Sequence, residues 1–206
     1  MNNDWAAGQL QTIRVLMERS SLYRLALAPV TLLTGVIGLS AGFIGHWLRI
    51  QGLTSFVLYW FGVALVALVV ALLLVRRQAL KAAEPFWSPP TRRVAQMLSL
   101  PLVAGAGLGL LLCLLSRTGQ GIGFLAPFWV ILYGCALHSA GFFMQRGIRL
   151  LGWIFVLAGL ALLVCPAASH PAPERPPHLI MGTVFGGLHL LYGIYLYFTE
   201  KEPAAS

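Results

Sequence analysis

The sequence predicts an all-α polytopic membrane protein: six transmembrane helices in one bundle, both termini cytoplasmic, preceded by an amphipathic interfacial helix. Three observations lead there. Of 206 residues, 58% are hydrophobic and 10% are charged. The apolar residues gather in six stretches, 25–48, 54–75, 94–115, 122–144, 148–165 and 179–198. The 14 Lys and Arg residues fall on alternate sides of those stretches. Five stretches reach the roughly 20 apolar residues needed to cross a hydrocarbon core about 30 Å thick. The fifth is shorter, and Arg149 near its start can snorkel to the headgroups to extend it.

Residues 1–24 read as the amphipathic helix on the cytoplasmic face. Asn2, Asn3 and Asp4 offer N-caps, Leu10, Ile13 and Met17 share one side, and Arg14 and Glu18 lie four apart on another. The same pattern serves a docking helix for a cytoplasmic partner. No cleavable signal peptide is expected, because the first apolar run starts after 24 residues that include Asp4 and Glu18 and is too long for a signal h-region. Counting the spans from there puts Arg14, Arg19, Arg24, Arg76, Arg77, Lys81, Arg92, Arg93, Arg146, Arg149 and Lys201 inside, and only Arg49, Arg117 and Arg175 outside. Short loops retain positive charge on the cytoplasmic side. The net charge of +8 is therefore a threading signal with anionic headgroups as its counter-charge, and no soluble basic face exists to bind nucleic acid.

Between the second and third spans, residues 76–93 form the longest inside connection. Pro85, Pro89 and Pro90 stop a helix there, and Phe86 and Trp87 suit the headgroup region. The longest outside connection, Pro166 to Pro177, is proline-rich and expected to be extended. Residues 199–206 form a cytoplasmic tail. His46, His170 and His178, with Glu174, cluster at the outer ends of spans, and solvated loop histidines are the expectation for them because the spacing matches no compact metal motif.

All six acidic residues, Asp4, Glu18, Glu84, Glu174, Glu200 and Glu202, lie outside the spans. Ion-coupled carriers commonly hold a carboxylate near mid-membrane, so active coupled transport is disfavoured. The spans instead contain glycine. Gly35, Gly38, Gly42 and Gly45 form one stripe on the first, and Gly105 and Gly109 form a G-x-x-x-G on the third, near Pro101, which should kink it. Such stripes let helix backbones approach, either within the bundle or as a dimer seam or ligand slot. Cys113, Cys135 and Cys165 sit singly in three spans and read as inert packing.

Two histidines stand in further stripes. Gly134, His138, Gly141 and Gln145 share a face of the fourth span, with Cys135 beside them, and His178, Gly182, Gly186, His189 and Gly193 share a face of the sixth. The fourth and sixth spans run in parallel, so His138 and His189 are candidates for an intramembrane polar site. Three readings compete. Neutral imidazoles donating across helices, to backbone or to hydroxyls such as Ser139 or Thr183, come first. A polar pair lining a pocket or permeation path comes second. A bis-histidine haem or metal site comes last, and no motif calls for a cofactor. No nucleotide, hydrolase or zinc-protease signature occurs, so the chain does not read as an enzyme.

Three segments, Ile13–Arg24 (IRVLMERSSLYR), Trp129–Gly134 (WVILYG) and Val184–Gly193 (VFGGLHLLYG), resemble a set of small bacterial integral membrane proteins of uncharacterised function. The resemblance implies a bacterial inner-membrane location and supplies neither an activity nor site residues. The functional expectation is a non-enzymatic accessory, regulatory or homo-oligomeric membrane component whose partners are lipid and other membrane proteins. A small permease with a His138/His189 path is the alternative.

Overall fold

In the computed structural model, residues 27–81, 83, 85–115, 122–168 and 176–199 are described, and these form six helices and no strand. They are α1 (Leu27–Trp47), α2 (Leu53–Lys81), α3 (Pro89–Leu115), α4 (Ile122–Ala140), α5 (Arg146–Ala168) and α6 (Pro177–Thr199), each long and apolar enough to cross a membrane. Within α6, Gly182–Gly186 is a π-helical turn. The expected interfacial helix 1–24 and the tail 199–206 lie outside the described residues, apart from Thr199.

Several boundaries move. α2 runs on through Arg76 and Arg77 to Lys81, because nothing in RRQALK breaks a helix. α3 begins at Pro89 rather than after both prolines, since proline at the first helical positions lacks only an N–H that would be unpaired anyway. Ser88 caps it: the Arg92 N–H donates to the Ser88 carbonyl at 3.1 Å, and the Ser88 and Thr91 hydroxyls are 2.9 Å apart. The connection expected over 76–93 thus shrinks to a few residues. Pro101 lies inside α3. α4 stops at Ala140, so Gln145 leaves the helical face it was expected to share with His138. α5 extends beyond Pro166 to Ala168 and has no need of snorkelling to reach span length.

Glycine sets which helices touch. A Cβ added to Gly42 would come within 2.5 Å of the Gly182 Cα, one on Gly38 within 2.9 Å of the Gly186 Cα, and one on Gly35 within 2.6 Å of the Leu190 backbone N. From the other side, Gly186 faces Leu39 and Gly193 faces Leu32 and Thr31. As α1 residue numbers rise their α6 partners fall, so the two helices are antiparallel with their glycine faces locked together. α4 and α5 make a second such seam, with Gly134 against Gly152 and Val156, Gly152 against His138, and Gly141 against Arg149. Lipid offers no hydrophobic drive for these contacts, so the attraction is close van der Waals approach, which only glycine permits here.

The core is built from Phe56, Val57 and Trp60 of α2, Leu125, Ala126 and Val130 of α4, Leu151 and Phe155 of α5, and Met181 of α6. α2 joins it only through its first turns. Its remainder, like most of α3, is exposed: 11% of each of these spans is buried, against 39% of α1 and α4. The two helices therefore present their apolar length to whatever surrounds the bundle.

Candidate functional site

Besides Thr31, whose hydroxyl bonds the Leu27 carbonyl of its own helix, the buried polar residues described are two histidine centres at different depths, and neither is the predicted His138/His189 pair. The first begins with the end of α1. Arg49 adopts φ 51°, and the N–H groups of Arg49 and Ile50 donate to the carbonyls of His46 and Gly45, the two bonds of a Schellman cap. The cap turns the Ile50 carbonyl back toward the bundle. His178, in the first turn of α6, lies 3.0 Å from it through Nε2, while Trp60 Nε1–H donates to His178 Nδ1 at 3.2 Å. Indole N–H is donor-only, so Nδ1 must accept and Nε2 must carry the proton. Phe56 and Tyr59 close around the imidazole at centroid distances of 5.0 and 5.3 Å, and Tyr59 donates to the Ala41 carbonyl at 2.6 Å. The ring also fills the space left by Gly45.

His178 therefore corrects the expectation of a solvated loop histidine, since it is 4% exposed and fastens α1, α2 and α6 together. The readable signal was Pro176-Pro177, which starts α6 early enough to include it. His46 does remain exposed. His170 and Glu174 lie outside the described residues.

The second centre is His189, 3% exposed. Its Nδ1 lies 2.7 Å from the Phe185 carbonyl one turn back and its Nε2 2.8 Å from the Tyr133 hydroxyl of α4. The carbonyl can only accept, so Nδ1 donates to it, and in the neutral ring Nε2 accepts from the tyrosine hydroxyl. Phe155 packs on both rings, at 5.3 Å from His189 and 5.2 Å from Tyr133, and Phe185 meets the Tyr133 ring at 5.0 Å. The hydroxyl partner is thus Tyr133. Ser139 and Thr183 do not serve: Thr183 bonds the carbonyls of Leu179 and Ile180 in its own helix.

His138 lies five residues beyond Tyr133 along α4, roughly 7–8 Å farther toward the end bearing Arg146. Its ring meets Phe142 and Trp153 at 5.3 and 5.4 Å, and Nδ1 reaches only to 3.5 Å from the Arg149 carbonyl. His138 and His189 share none of these neighbours. Cys135 is exposed and joins neither histidine. Cys113 is half-buried, and the Cys165 side chain lies outside the described residues. Among the described residues no group of three or more metal-ligating side chains occurs.

A third feature was not foreseen from sequence. Trp129 of α4 seats its indole on Gly105 and Gly109, donating Nε1–H to the Gly105 carbonyl at 2.8 Å. Phe56 and Phe61 of α2 stack on it at 6.0 and 5.7 Å. The G-x-x-x-G of α3 is therefore a cradle for one side chain. With the α1 and α6 stripes facing each other, every predicted packing glycine (Gly35, Gly38, Gly42, Gly45, Gly105, Gly109, Gly134, Gly141, Gly182, Gly186 and Gly193) meets a neighbour inside the bundle.

Six helices of this length and composition, held by buried glycine seams, define a multi-pass membrane protein. Comparison with known protein families, with curated proteins and with solved structures gave no match.

Proposed function

We propose that the protein is a non-enzymatic accessory component of a bacterial cytoplasmic membrane, with both termini inside, acting through its outer helix faces. One observation carries this reading: both ring nitrogens of His178 and of His189 are engaged within the bundle. A path or pocket needs polar groups free to meet its cargo. These instead fasten helices, and the glycine stripes that could have made a dimer seam already meet neighbours inside the bundle. Lateral association falls to α2 and α3. The proposed orientation is supported by charge, because Arg93 and Phe143 meet at one end of the bundle and Arg92, Arg146 and Arg149 stand beside them, while Arg49 stands at the other.

The test is photo-crosslinking in native membranes from Leu65 of α2 and Leu110 of α3, both exposed, with Gly38 of α1 as the buried comparison. Protein-sized adducts from the first two and none from Gly38 are expected. A protein that yields no adducts, yet passes solute in proteoliposomes and loses that flux in a folded His189→Ala variant, would be a permease instead.

A further inference from the structure

The cytoplasmic ends of α3, α4 and α5 meet at a corner that the histidine centres do not explain. α3 carries Arg92 and Arg93 as its fourth and fifth residues and α5 carries Arg146 and Arg149 as its first and fourth, with no acidic residue in either first turn. This placement is electrostatically adverse. The N-terminus of a helix is its positive pole and favours anions, so four guanidiniums there call for negative charge from outside the helices. No carboxylate occurs among the described residues. Asp4, Glu18, Glu84, Glu200 and Glu202, which the threading puts on this side, lie outside them.

The cations are also arranged. Arg93 stands over the Phe143 ring at 6.0 Å and Arg149 over the Phe142 ring at 5.1 Å, so guanidiniums from two helices flank one two-residue aromatic step in the α4–α5 turn. Both phenyl rings are exposed, at 44% and 63%. A guanidinium held by a ring face keeps its N–H edges available for oxygen ligands. Farther along the same two helices Leu100 and Val103 of α3 and Trp153 and Leu157 of α5 are all exposed. Cationic groups at the end of an apolar span, with aromatic rings between them and open aliphatic surface behind, match one chemistry end to end. We propose that this corner binds an anionic phospholipid, its phosphodiester on Arg93 and Arg149 and its acyl chains along α3 and α5.

The test uses the full-length protein, purified in mild detergent and titrated with phosphatidylglycerol or phosphatidylethanolamine while bound lipid is counted by native mass spectrometry. Phosphatidylglycerol should be retained in preference. At about fivefold per interfacial cation, Arg93→Gln/Arg149→Gln should weaken retention roughly 25-fold. The charge-matched Arg76→Gln/Arg77→Gln pair at the end of α2 should change it less than about threefold. Thermal unfolding of both variants without added lipid separates loss of the site from loss of the fold, and Arg93→Lys/Arg149→Lys should keep most of the retention because the charge remains. Equal weakening in the two Gln pairs would mean diffuse attraction and overturn the proposal. So would equal retention of the two lipids, the result expected if the carboxylates of this side neutralise the corner.

Discussion

Substituting Gly42 by alanine gives the sharpest test of the α1–α6 seam. The new methyl would lie 2.5 Å from the Gly182 Cα and 2.8 Å from the His178 carbonyl oxygen. Both obstacles are backbone, so no rotamer change relieves them and the helices must separate by most of an ångström. Overpacking of this kind costs about 1–3 kcal/mol, and exchanging helical Gly for Ala returns at most about 1 kcal/mol. A net loss of about 1–2 kcal/mol is expected. Gly62→Ala on α2 is the internal comparison, because nothing lies within 4 Å of its added methyl and only the propensity gain applies. Chemical unfolding in mixed micelles, followed by helical circular dichroism, measures both. Gly42→Ala/Gly182→Ala should lose little more than the single variant, since one separation accommodates both methyls. A Gly42→Ala variant within about 0.5 kcal/mol of Gly62→Ala would refute the seam as the element holding α1 to α6.

Three further outcomes follow from the same geometry. Tyr133→Phe should destabilise by about 1–3 kcal/mol by leaving His189 Nε2 buried without a donor, and a double-mutant cycle with His189→Phe should return a coupling of roughly 0.6–1.7 kcal/mol, read by the same unfolding assay. Trp60→Phe should cost a similar amount through His178 Nδ1. It should also speed hydrogen exchange at the Ile50 and Arg49 amides, because Ile50 gives its N–H to the α1 cap and its carbonyl to His178. Gly105→Ala and Gly109→Ala should separate although they lie one turn apart. The first methyl meets Trp129 at an ordinary 3.5 Å, so that variant is neutral or slightly stabilised, whereas the second meets it at 2.8 Å and should lose about 1 kcal/mol in thermal unfolding.

Length and charge made the six spans legible, because the bilayer imposes one requirement on every segment that crosses it. The glycine faces were legible as faces. Their partners were not, since periodicity along one helix carries no information about which other helix it meets. The antiparallel matching of Gly42 with Gly182 appears only once both stripes are seen together. His178 shows where local reading misled: its neighbours in sequence are prolines, while its partners, Trp60 and Ile50, come from distant segments. Tyr133 was in view within WVILYG yet drew no attention, because one tyrosine in a span resembles an aromatic packing residue until a buried imidazole stands opposite. The glycines of α5 could have been found, as Gly152 and Gly159 lie two turns apart and both face α4. The π turn at Gly182–Gly186 carries no sequence signature of its own.

The closure of the first helix on the last also has a bearing on biogenesis. A chain emerging from the ribosome exposes the glycine face of α1 first and its partner face last, so α1 must cross the bilayer and wait while four other spans are made. Until α6 arrives, the stripe from Gly35 to Gly45 is an unpaired adhesive surface in a crowded membrane, open to any small-residue helix nearby. The α4–α5 seam can form from adjacent segments without delay. Assembly is therefore expected to begin at that hairpin and to end with a long-range docking step in which the two extremities of the bundle find each other. A chain halted before α6 would lack that final step, and membrane quality control would meet it with its first helix still unclaimed.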